Sequence, residues 1–233
     1  MREQSVRTAM LLGNEAVDQL RDKHVAVFGI GGVGGFCAEA LARAGVGALT
    51  LVDDDTVSVS NLNRQLVALR STVGMAKTEV MAARIHDINP DCHVTILTKR
   101  YTEETKEDFF SLNFDYIADC IDSVACKTSL IETSIGRNIP IISAMGTGNK
   151  LDPTKFVITD LSKTSGCPLA RVMRRELKQR GIMHHTVLYS TEPAIKPLFQ
   201  PDEGKAVPGS VAWVPSCAGL MMAGYIIQNL IKE

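Results

Sequence analysis

The sequence predicts an α/β fold built on a doubly wound, mostly parallel β-sheet. Short apolar runs alternate with longer helix-like segments through the first two-thirds of the chain, as expected for strands joined by crossover helices. A glycine-rich turn, residues 29–34, joins the first apolar run to the first helix-like segment, and Asp53 directly follows the second run. Both features are typical of sheets that bind nucleotides at the carboxyl ends of their strands.

Five strands and four helices are predicted in residues 1–150. The strands are short apolar runs, several of them rich in β-branched residues, at residues 24–30, 48–53, 94–100, 116–122 and 139–145. The helices lie between them, at residues 36–45, 75–88, 103–112 and 126–137. Gly45 and the pair Asn89-Pro90 are typical helix stops and support the ends of the first two helices.

The pattern changes after residue 146, where turn residues become frequent. Two further strands and one helix are predicted, at residues 155–161, 185–191 and 168–180. A proline-rich stretch, residues 193–209, then leads to a final helix. Because such short strands need a neighbouring core, we expect residues 151–233 to extend the first sheet, so that residues 1–233 form a single domain.

The composition is that of a globular protein, with 45% hydrophobic and 22% charged residues in a chain of 233. The net charge of −1 excludes a global basic field, so any contact with RNA must come from a local patch. None of the six cysteines falls in a CxxC pair, which argues against a four-cysteine zinc site. The N-terminus lacks the apolar region of a signal peptide, and we expect a cytoplasmic protein with free thiols.

The C-terminal segment, residues 211–231, is nearly uncharged and about long enough to span a bilayer. However, Pro215 and Ser216 resemble a helix start, which would leave roughly 16 helical residues. These features favour a helix buried in the core or in a dimer interface. Membrane association remains the alternative.

The glycine-rich turn reads GIGGVG, and it predicts a Rossmann-like phosphate site at a helix N-terminus, with Asp53 binding ribose hydroxyls. NAD, FAD and ATP all suit such a turn. Arg64 and Lys77 follow the second strand, and Asp122 ends the fourth, where it is placed to hold Mg²⁺. Two cations and a free carboxylate fit the triphosphate of ATP better than the pyrophosphate of NAD. Alternatively, Lys77 is a solvated helix charge, Arg64 forms a cap or pairs with the neighbouring acids, and Asp122 caps a helix.

These residues together resemble the ubiquitin-activating-enzyme-like adenylyltransferase superfamily, which includes the ThiF- and MoeB-type enzymes of the thiazole and molybdopterin pathways. The similarity rests on GIGGVG, Asp53, the stretch SNLNRQ at residues 60–65, Lys77 and the stretch DCIDS, and it covers residues 5–150. It implies that a carboxylate is adenylated by ATP with Mg²⁺ bound at Asp122. It also implies a homodimer in which Arg7 reaches the partner's ATP.

By this resemblance the residues expected to act in catalysis are Arg7, Asn61, Arg64, Lys77 and Asp122. Those expected to bind ATP are Gly29, Gly31, Gly32, Gly34, Asp53, Asp55, Ser60, Asn61, Arg64, Gln65, Lys77, Asp122 and Ser123. Residues 1–150 would then be the ATP-binding part, and residues 151–233 an extension that binds substrate and RNA.

Further stretches, among them RTAMLLG, LDPTKFVITDLSKTS and CPLARVMRRELKQRGI, are similar to the transfer-RNA threonylcarbamoyladenosine dehydratase branch of the superfamily. This similarity implies adenylation of the threonylcarbamoyl carboxylate at position 37, in the anticodon loop of ANN-decoding transfer RNA. The modification then closes to a cyclic form with loss of water and release of AMP and pyrophosphate. The main alternative is activation of the C-terminus of a ubiquitin-like sulfur carrier, with or without a docked sulfur-transfer protein.

The predicted helix at residues 168–180 carries a basic face, formed by Arg171, Arg174, Arg175 and Lys178. Spacings of three and four place these side chains together, where they could bind an RNA backbone or simply be solvated. Cys167 precedes this helix. Nearby cations could lower its pKa for a nucleophilic role, but cyclisation by the substrate's own nucleophile needs no thiol. Two other possibilities are a dinucleotide-dependent oxidoreductase and a non-catalytic RNA-binding module.

Overall fold

The computed structural model describes residues 3–200 and 207–232 of the chain. Its strands are β1 His24–Phe28, β2 Ala48–Val52, β3 His93–Leu97, β4 Tyr116–Asp119, β5 Ile141–Ala144, β6 Phe156–Asp160 and β7 Thr186–Ser190. They form one seven-stranded sheet in the order β3-β2-β1-β4-β5-β7-β6. Neighbouring strands are parallel except β6, which is antiparallel to β7. The predicted doubly wound, mostly parallel fold is confirmed.

The helices of the described residues are α1 Val6–Leu12, α2 Asn14–Arg21, α3 Gly34–Ala44, α4 Lys77–Ile88, α5 Lys106–Phe109, α6 Val124–Gly136, α7 Pro168–Gln179 and α8 Trp213–Leu230. The sequence did not predict α1 and α2. The helix predicted at residues 103–112 shortens to the single turn of α5. The prediction that Asp122 ends the fourth strand is wrong. That strand ends at Asp119, whose carboxylate accepts a hydrogen bond from the Ile121 N–H (3.1 Å) and turns the chain.

Two apolar cores cover the two faces of the sheet. Alternate side chains of β1 enter different cores, with Val25 and Val27 packing on the side of α3, α4 and α8. Ala26 and Phe28 pack on the side of α5, α6 and α7. Because both faces of the central strands are buried, these strands read as continuous apolar runs.

The segment that raised the possibility of a membrane span is the helix α8, which packs against α3 and buries Val214, Ala218, Met222 and Ile226. It begins at Trp213, two residues before the predicted start, so Pro215 lies in its first turn, where a missing N–H is tolerated. In the described part of the chain, no helix is both long and apolar enough to cross a membrane.

The C-terminal part of the chain continues the same sheet. β7 pairs with β5 in parallel, and the Met145 N–H donates to the Leu188 carbonyl (2.8 Å). β6 then covers the outer edge of β7. The residues that follow β5 and those of α8 are therefore held at the same carboxyl edge of the sheet as the glycine-rich turn.

The contact between α8 and α3 gives a testable prediction. A Cβ on Gly219 would lie 2.2 Å from the Val33 carbonyl oxygen, whereas a Cβ on Gly224 of the same helix would meet nothing within 4 Å. Gly219→Ala should lower the free energy of unfolding by about 1–3 kcal/mol through overpacking. Gly224→Ala should be neutral or stabilising by up to about 1 kcal/mol, because alanine favours helix. Chemical denaturation measures both, and equal effects would contradict this packing.

Candidate nucleotide-binding site

A cleft of about 700 Å³ opens at the carboxyl ends of β1, β2 and β4. β2 and β4 lie on opposite sides of β1, so this is the point where the strand order reverses and where such sheets bind ligands. Residues from six segments line it, namely 29–33, 52–58, 61–65, 99–101, 120–126 and 210–215. Lys77 and Thr147 also face it.

The glycine-rich turn forms the floor of the cleft, and its shape requires glycine at two positions. Gly29 has φ +88°, and a Cβ there would lie 2.8 Å from the Cys120 carbonyl oxygen. A Cβ on Gly34 would lie 1.8 Å from the Gly29 carbonyl oxygen. Gly31 and Gly32 line the cleft, whereas Gly34 is buried behind the turn and is not among the lining residues. Its contribution is the close packing of the turn.

The turn presents unpaired donors to the cleft. The N–H groups of residues 31–33 make no hydrogen bond to the described residues, and they lie at the N-terminal end of α3. A helix N-terminus with unpaired N–H groups attracts anions such as phosphate. The residues present therefore fit a nucleotide whose phosphates lie over Gly31 and Gly32.

Asp53 follows β2 and joins the turn to the next loop. One carboxylate oxygen accepts from the Ile30 N–H (2.6 Å) and the other from the Asp55 N–H (2.9 Å). Burial raises the pKa of Asp53 above its ordinary value, and this effect outweighs the opposing influence of Lys77 and of the two N–H donors. The carboxylate is thus fixed in direction at the place predicted for ribose recognition.

Lys77 is the first residue of α4, and its side chain is buried against the acids that follow β2. Its ammonium lies 2.6 Å from an Asp55 carboxylate oxygen and 4.0 Å from one of Asp53. The interpretation of Lys77 as a solvated helix charge is therefore wrong, because the side chain points inward to the cleft. Asp55 lines the cleft beside it, where the pair forms a local dipole.

The loop of residues 58–65 places polar groups above the glycine-rich turn. A short 3₁₀ helix, Val59–Asn61, is capped by a hydrogen bond from the Ser58 N–H to the Asn61 amide oxygen (3.0 Å). This bond leaves the NH₂ group of Asn61 available to the cleft. Ser58 lines the cleft, whereas Ser60 does not; the two hydroxyls are 2.8 Å apart. Ser60, which was predicted to bind ATP, is therefore not a lining residue.

Arg64 and Gln65 end this loop. The Arg64 guanidinium donates to the Ser60 carbonyl (3.0 Å) and to the Asn63 amide oxygen (2.9 Å), and its stem lies over Gly32. It does not pair with the acids after β2, so the pairing alternative is wrong. Gln65 is buried beside Gly31, and its amide oxygen makes no hydrogen bond within the described residues. A buried, unpaired amide is costly and is expected where a ligand or water completes it.

Asp122 and Ser123 lie in the loop between β4 and α6 and face the glycine-rich turn across the cleft. Asp122 is exposed and pairs with no cation among the described residues. It does not cap α6, because Ser123 occupies the N-cap position. Its free carboxylate suits a hard cation such as Mg²⁺. The carboxylates of residues 53–55 also lie within 4.8 Å of one another, but Lys77 already partners two of them.

Two predicted groups lie away from the cleft of their own chain. Arg7 is exposed on α1 and is not a lining residue. On α7, Arg171, Arg175 and Lys178 are exposed, while Arg174 donates to the Thr164 carbonyl (2.8 Å) and fixes the preceding loop. Cys167 is buried at the N-cap of α7.

The sequence reasoning missed two sets of residues. Lys99 and Arg100, which follow β3, line the cleft and add positive charge to it. Their position just after a parallel strand could have predicted this, because ligands bind at the carboxyl ends of such strands and Asp53 was predicted on that basis. The second set is the pair Asp119 and Lys127 beneath the cleft, for which no local sequence pattern exists, because the two residues are brought together only by the packing of α6 on β4.

Comparison with known proteins finds relatives along the whole length of this chain. The model of the ThiF family matches residues 5–233. The tRNA threonylcarbamoyladenosine dehydratase of Bacillus subtilis is 45% identical, over 100% of this chain and 96% of that protein. The Escherichia coli tRNA N6-threonylcarbamoyladenosine dehydratase in complex with ATP superposes with a TM-score of 0.91 at 38% identity, covering 99% of this chain and 95% of that one. The sulfur carrier protein ThiS adenylyltransferase of Escherichia coli is 37% identical over 61% of this chain and 58% of that protein.

The position of Arg64 predicts a specific loss of nucleotide affinity. Arg64→Ala removes a charged donor above Gly32 and should weaken ATP binding by about 1.5–3 kcal/mol, which is roughly ten- to a hundredfold in Kd. Arg70→Ala is the matched control, because Arg70 is exposed in the same connection between β2 and α4 but outside the cleft. Isothermal titration calorimetry gives both constants. Equal Kd values for the two variants would contradict the assignment.

The raised pKa of Asp53 predicts a pH dependence. The ionised carboxylate would accept the ribose hydroxyls, and a raised pKa means that it is protonated at a higher pH than an ordinary aspartate. ATP affinity should therefore fall as the pH is lowered below neutral, beginning at a higher pH than an ordinary aspartate would allow, while that of Asp53→Asn, weaker at the outset, should fall less. Titrations of both proteins across this range separate Asp53 from other titrating groups, and parallel profiles would refute the prediction.

Proposed function

The chain belongs to the ThiF family, and on that premise we propose that it is an ATP-dependent tRNA threonylcarbamoyladenosine dehydratase. It would adenylate the threonylcarbamoyl carboxylate of the modified adenosine at position 37 of the anticodon loop, in ANN-decoding transfer RNA. The modification would then cyclise with loss of water. Dehydratases at 45% and 43% identity support the choice of substrate.

The observation that carries this proposal is the set of groups around one cleft. Unpaired N–H groups of the turn, the cations Arg64 and Lys77, and the free carboxylate of Asp122 all face it. Donors and cations of this kind stabilise the negative charge that develops when a nucleophile attacks a phosphate. A site for a dinucleotide needs less positive charge, so the oxidoreductase alternative is less well supported.

The residues of the chain would divide the first step between them. Asp53 would hold the ribose, and Asn61, Arg64 and Lys77 would hold the phosphates while the substrate carboxylate attacks the α-phosphorus and pyrophosphate leaves. No general base is needed, because a carboxylate is already ionised at neutral pH. Asp122 would hold Mg²⁺, which when bound neutralises phosphate charge.

The second step would need no protein nucleophile. A nucleophilic group of the same modification attacks the activated carbonyl, loses its proton, and AMP leaves, so the substrate loses one water in total. An attacking group in the same molecule has a high effective concentration. The burial of Cys167 agrees with a step that does not use it, and we retain a nucleophilic role for this thiol only as part of the alternative below.

Contact with the RNA would come from α7. Arg171, Arg175 and Lys178 are exposed on this helix. The N-terminal end of α7 lies beside the cleft, since the side chains of Cys167 and Leu169 lie 3.9 Å from where a Cβ on Gly146 would stand. Lys and Arg on one surface bind the phosphate backbone through counterion release. Lys99 and Arg100 would add to the charge at the other side of the opening.

We further propose a homodimer in which Arg7 acts in trans. Arg7 does not face the cleft of its own chain, and the same helix exposes Met10 and Leu11, with 79% and 88% of their surfaces accessible. Large apolar side chains exposed side by side are typical of an interface.

All six cysteines are free, which agrees with the proposed location in a reducing cytoplasm.

The alternative function is activation of the C-terminal carboxylate of a ubiquitin-like sulfur carrier, with or without a sulfur-transfer partner. It is favoured by the similarity to the sulfur carrier protein ThiS adenylyltransferase. This reaction would need an accessible thiol, so Cys167 separates the two functions.

The decisive experiment is to incubate the protein with ATP, Mg²⁺ and threonylcarbamoyl-modified transfer RNA and to weigh the nucleosides by mass spectrometry. We expect the modified adenosine to lose the mass of one water, with AMP formed in step. Cys167→Ala should be as active as wild type. Lys77→Ala should remain folded, and its activity should fall by about two orders of magnitude or more. An unchanged nucleoside mass with full ATP consumption would rule out the dehydratase, and full activity of Cys167→Ala would count against the sulfur-carrier reaction.

A further inference from the structure

Beneath the cleft lies an ion pair that the proposed chemistry does not use. The Lys127 ammonium donates to an Asp119 carboxylate oxygen at 2.7 Å, and both side chains have 0% of their surface exposed. Asp119 is the last residue of β4, and Lys127 lies in the first turn of α6. The pair therefore joins the two ends of the loop formed by residues 120–123.

The second carboxylate oxygen of Asp119 holds that loop directly. It accepts the N–H of Ile121 (3.1 Å), while Lys127 occupies the other oxygen. The Cys120 N–H continues the sheet by donating to the Phe28 carbonyl (2.8 Å). The backbone at residues 120 and 121 is thus fixed from both sides before it reaches Asp122 and Ser123 in the cleft.

The same stretch of backbone supports the glycine-rich turn. The Cys120 carbonyl oxygen lies 2.8 Å from where a Cβ on Gly29 would stand, so the turn rests on it without an intervening side chain. A shift of Cys120 would move both walls of the cleft, namely the phosphate-binding turn and the loop that carries Asp122.

Stability alone gives a weak reason for such a pair. Desolvating two charges is costly, and replacing a buried ion pair by apolar residues of similar size is often neutral or stabilising. The nearby His185 is no competing counterion. The pKa of its imidazole is lowered to about 3, mainly by burial and in part by Lys127, so it is neutral and bonds to the Ser143 hydroxyl (2.8 Å).

We propose that Asp119 is a positioning residue for the nucleotide cleft: its carboxylate holds the Ile121 N–H so that Asp122 and the glycine-rich turn keep their geometry, while Lys127 neutralises the charge of that buried carboxylate. The inference rests on the ATP site of the proposed function, but not on its RNA substrate. The effect on nucleotide affinity comes from the hydrogen bond between Asp119 and the Ile121 N–H. The charges of Asp119 and Lys127 act only by neutralising each other.

Two double variants separate these contributions. Asp119→Asn/Lys127→Met removes both charges but keeps an oxygen that accepts from Ile121. Asp119→Leu/Lys127→Met removes the acceptor as well, with similar volume. We expect both to fold, the first to bind Mg·ATP within about threefold of wild type, and the second about tenfold more weakly, as for the loss of one hydrogen bond.

Ser143→Ala is the control for a merely structural effect. It breaks a buried hydrogen bond one strand away that does not reach residues 120–123, so it should lower the melting temperature and leave the Mg·ATP Kd unchanged.

Calorimetric Kd values and thermal unfolding, measured without RNA, decide the matter. Equal Mg·ATP affinities for the two folded double variants would overturn the proposal. If the leucine variant does not fold, the asparagine variant still tests it, because a folded asparagine variant with tenfold weaker binding would equally overturn it. Wild type that binds ATP but leaves the modified nucleoside unchanged would refute the dehydratase function and not this inference.

Discussion

Two stretches of backbone touch beneath the cleft with no side chain between them, and the geometry of the site depends on that contact. Gly29 lies against the Cys120 carbonyl, and Gly34 lies against the carbonyl of Gly29 itself. A Cβ on Gly29 would push the end of β1 away from the residue that follows β4, and a Cβ on Gly34 would push the start of α3 away from the glycine-rich turn. Because both contacts involve backbone, they can be relieved only by moving a strand or a helix.

The helices transmit this constraint outward. α3 begins at Gly34, and α8 approaches it so closely that Gly219 leaves no room for a Cβ. Pro215, near the start of α8, lies over Gly32 and lines the cleft. The C-terminal helix is therefore part of the wall of the site as well as part of the core, which explains why an apolar segment that resembled a membrane span is buried here.

Charge in the cleft is arranged in layers. Asp119 and Lys127 neutralise each other in the dry interior, and Asp55 and Lys77 form a second pair at the level of the cleft. Arg64, Asp122, Lys99 and Arg100 lie nearer the opening. Fixed charges in a partly buried site interact more strongly with a ligand than charges in water do, because solvent screens them less.

The sequence by itself determined the sheet, the glycine-rich turn and the acid after β2, because these follow from local spacing along the chain and from the rule that parallel strands end at one edge. It also supplied Arg64, Lys77 and Asp122 through a combination of motifs. Only the tertiary structure decided that β4 ends at Asp119, that Ser58 lines the cleft in place of Ser60, and that Arg7 lies outside it. These facts depend on distances between loops far apart in sequence, which strand order and helix packing set and which no local pattern encodes.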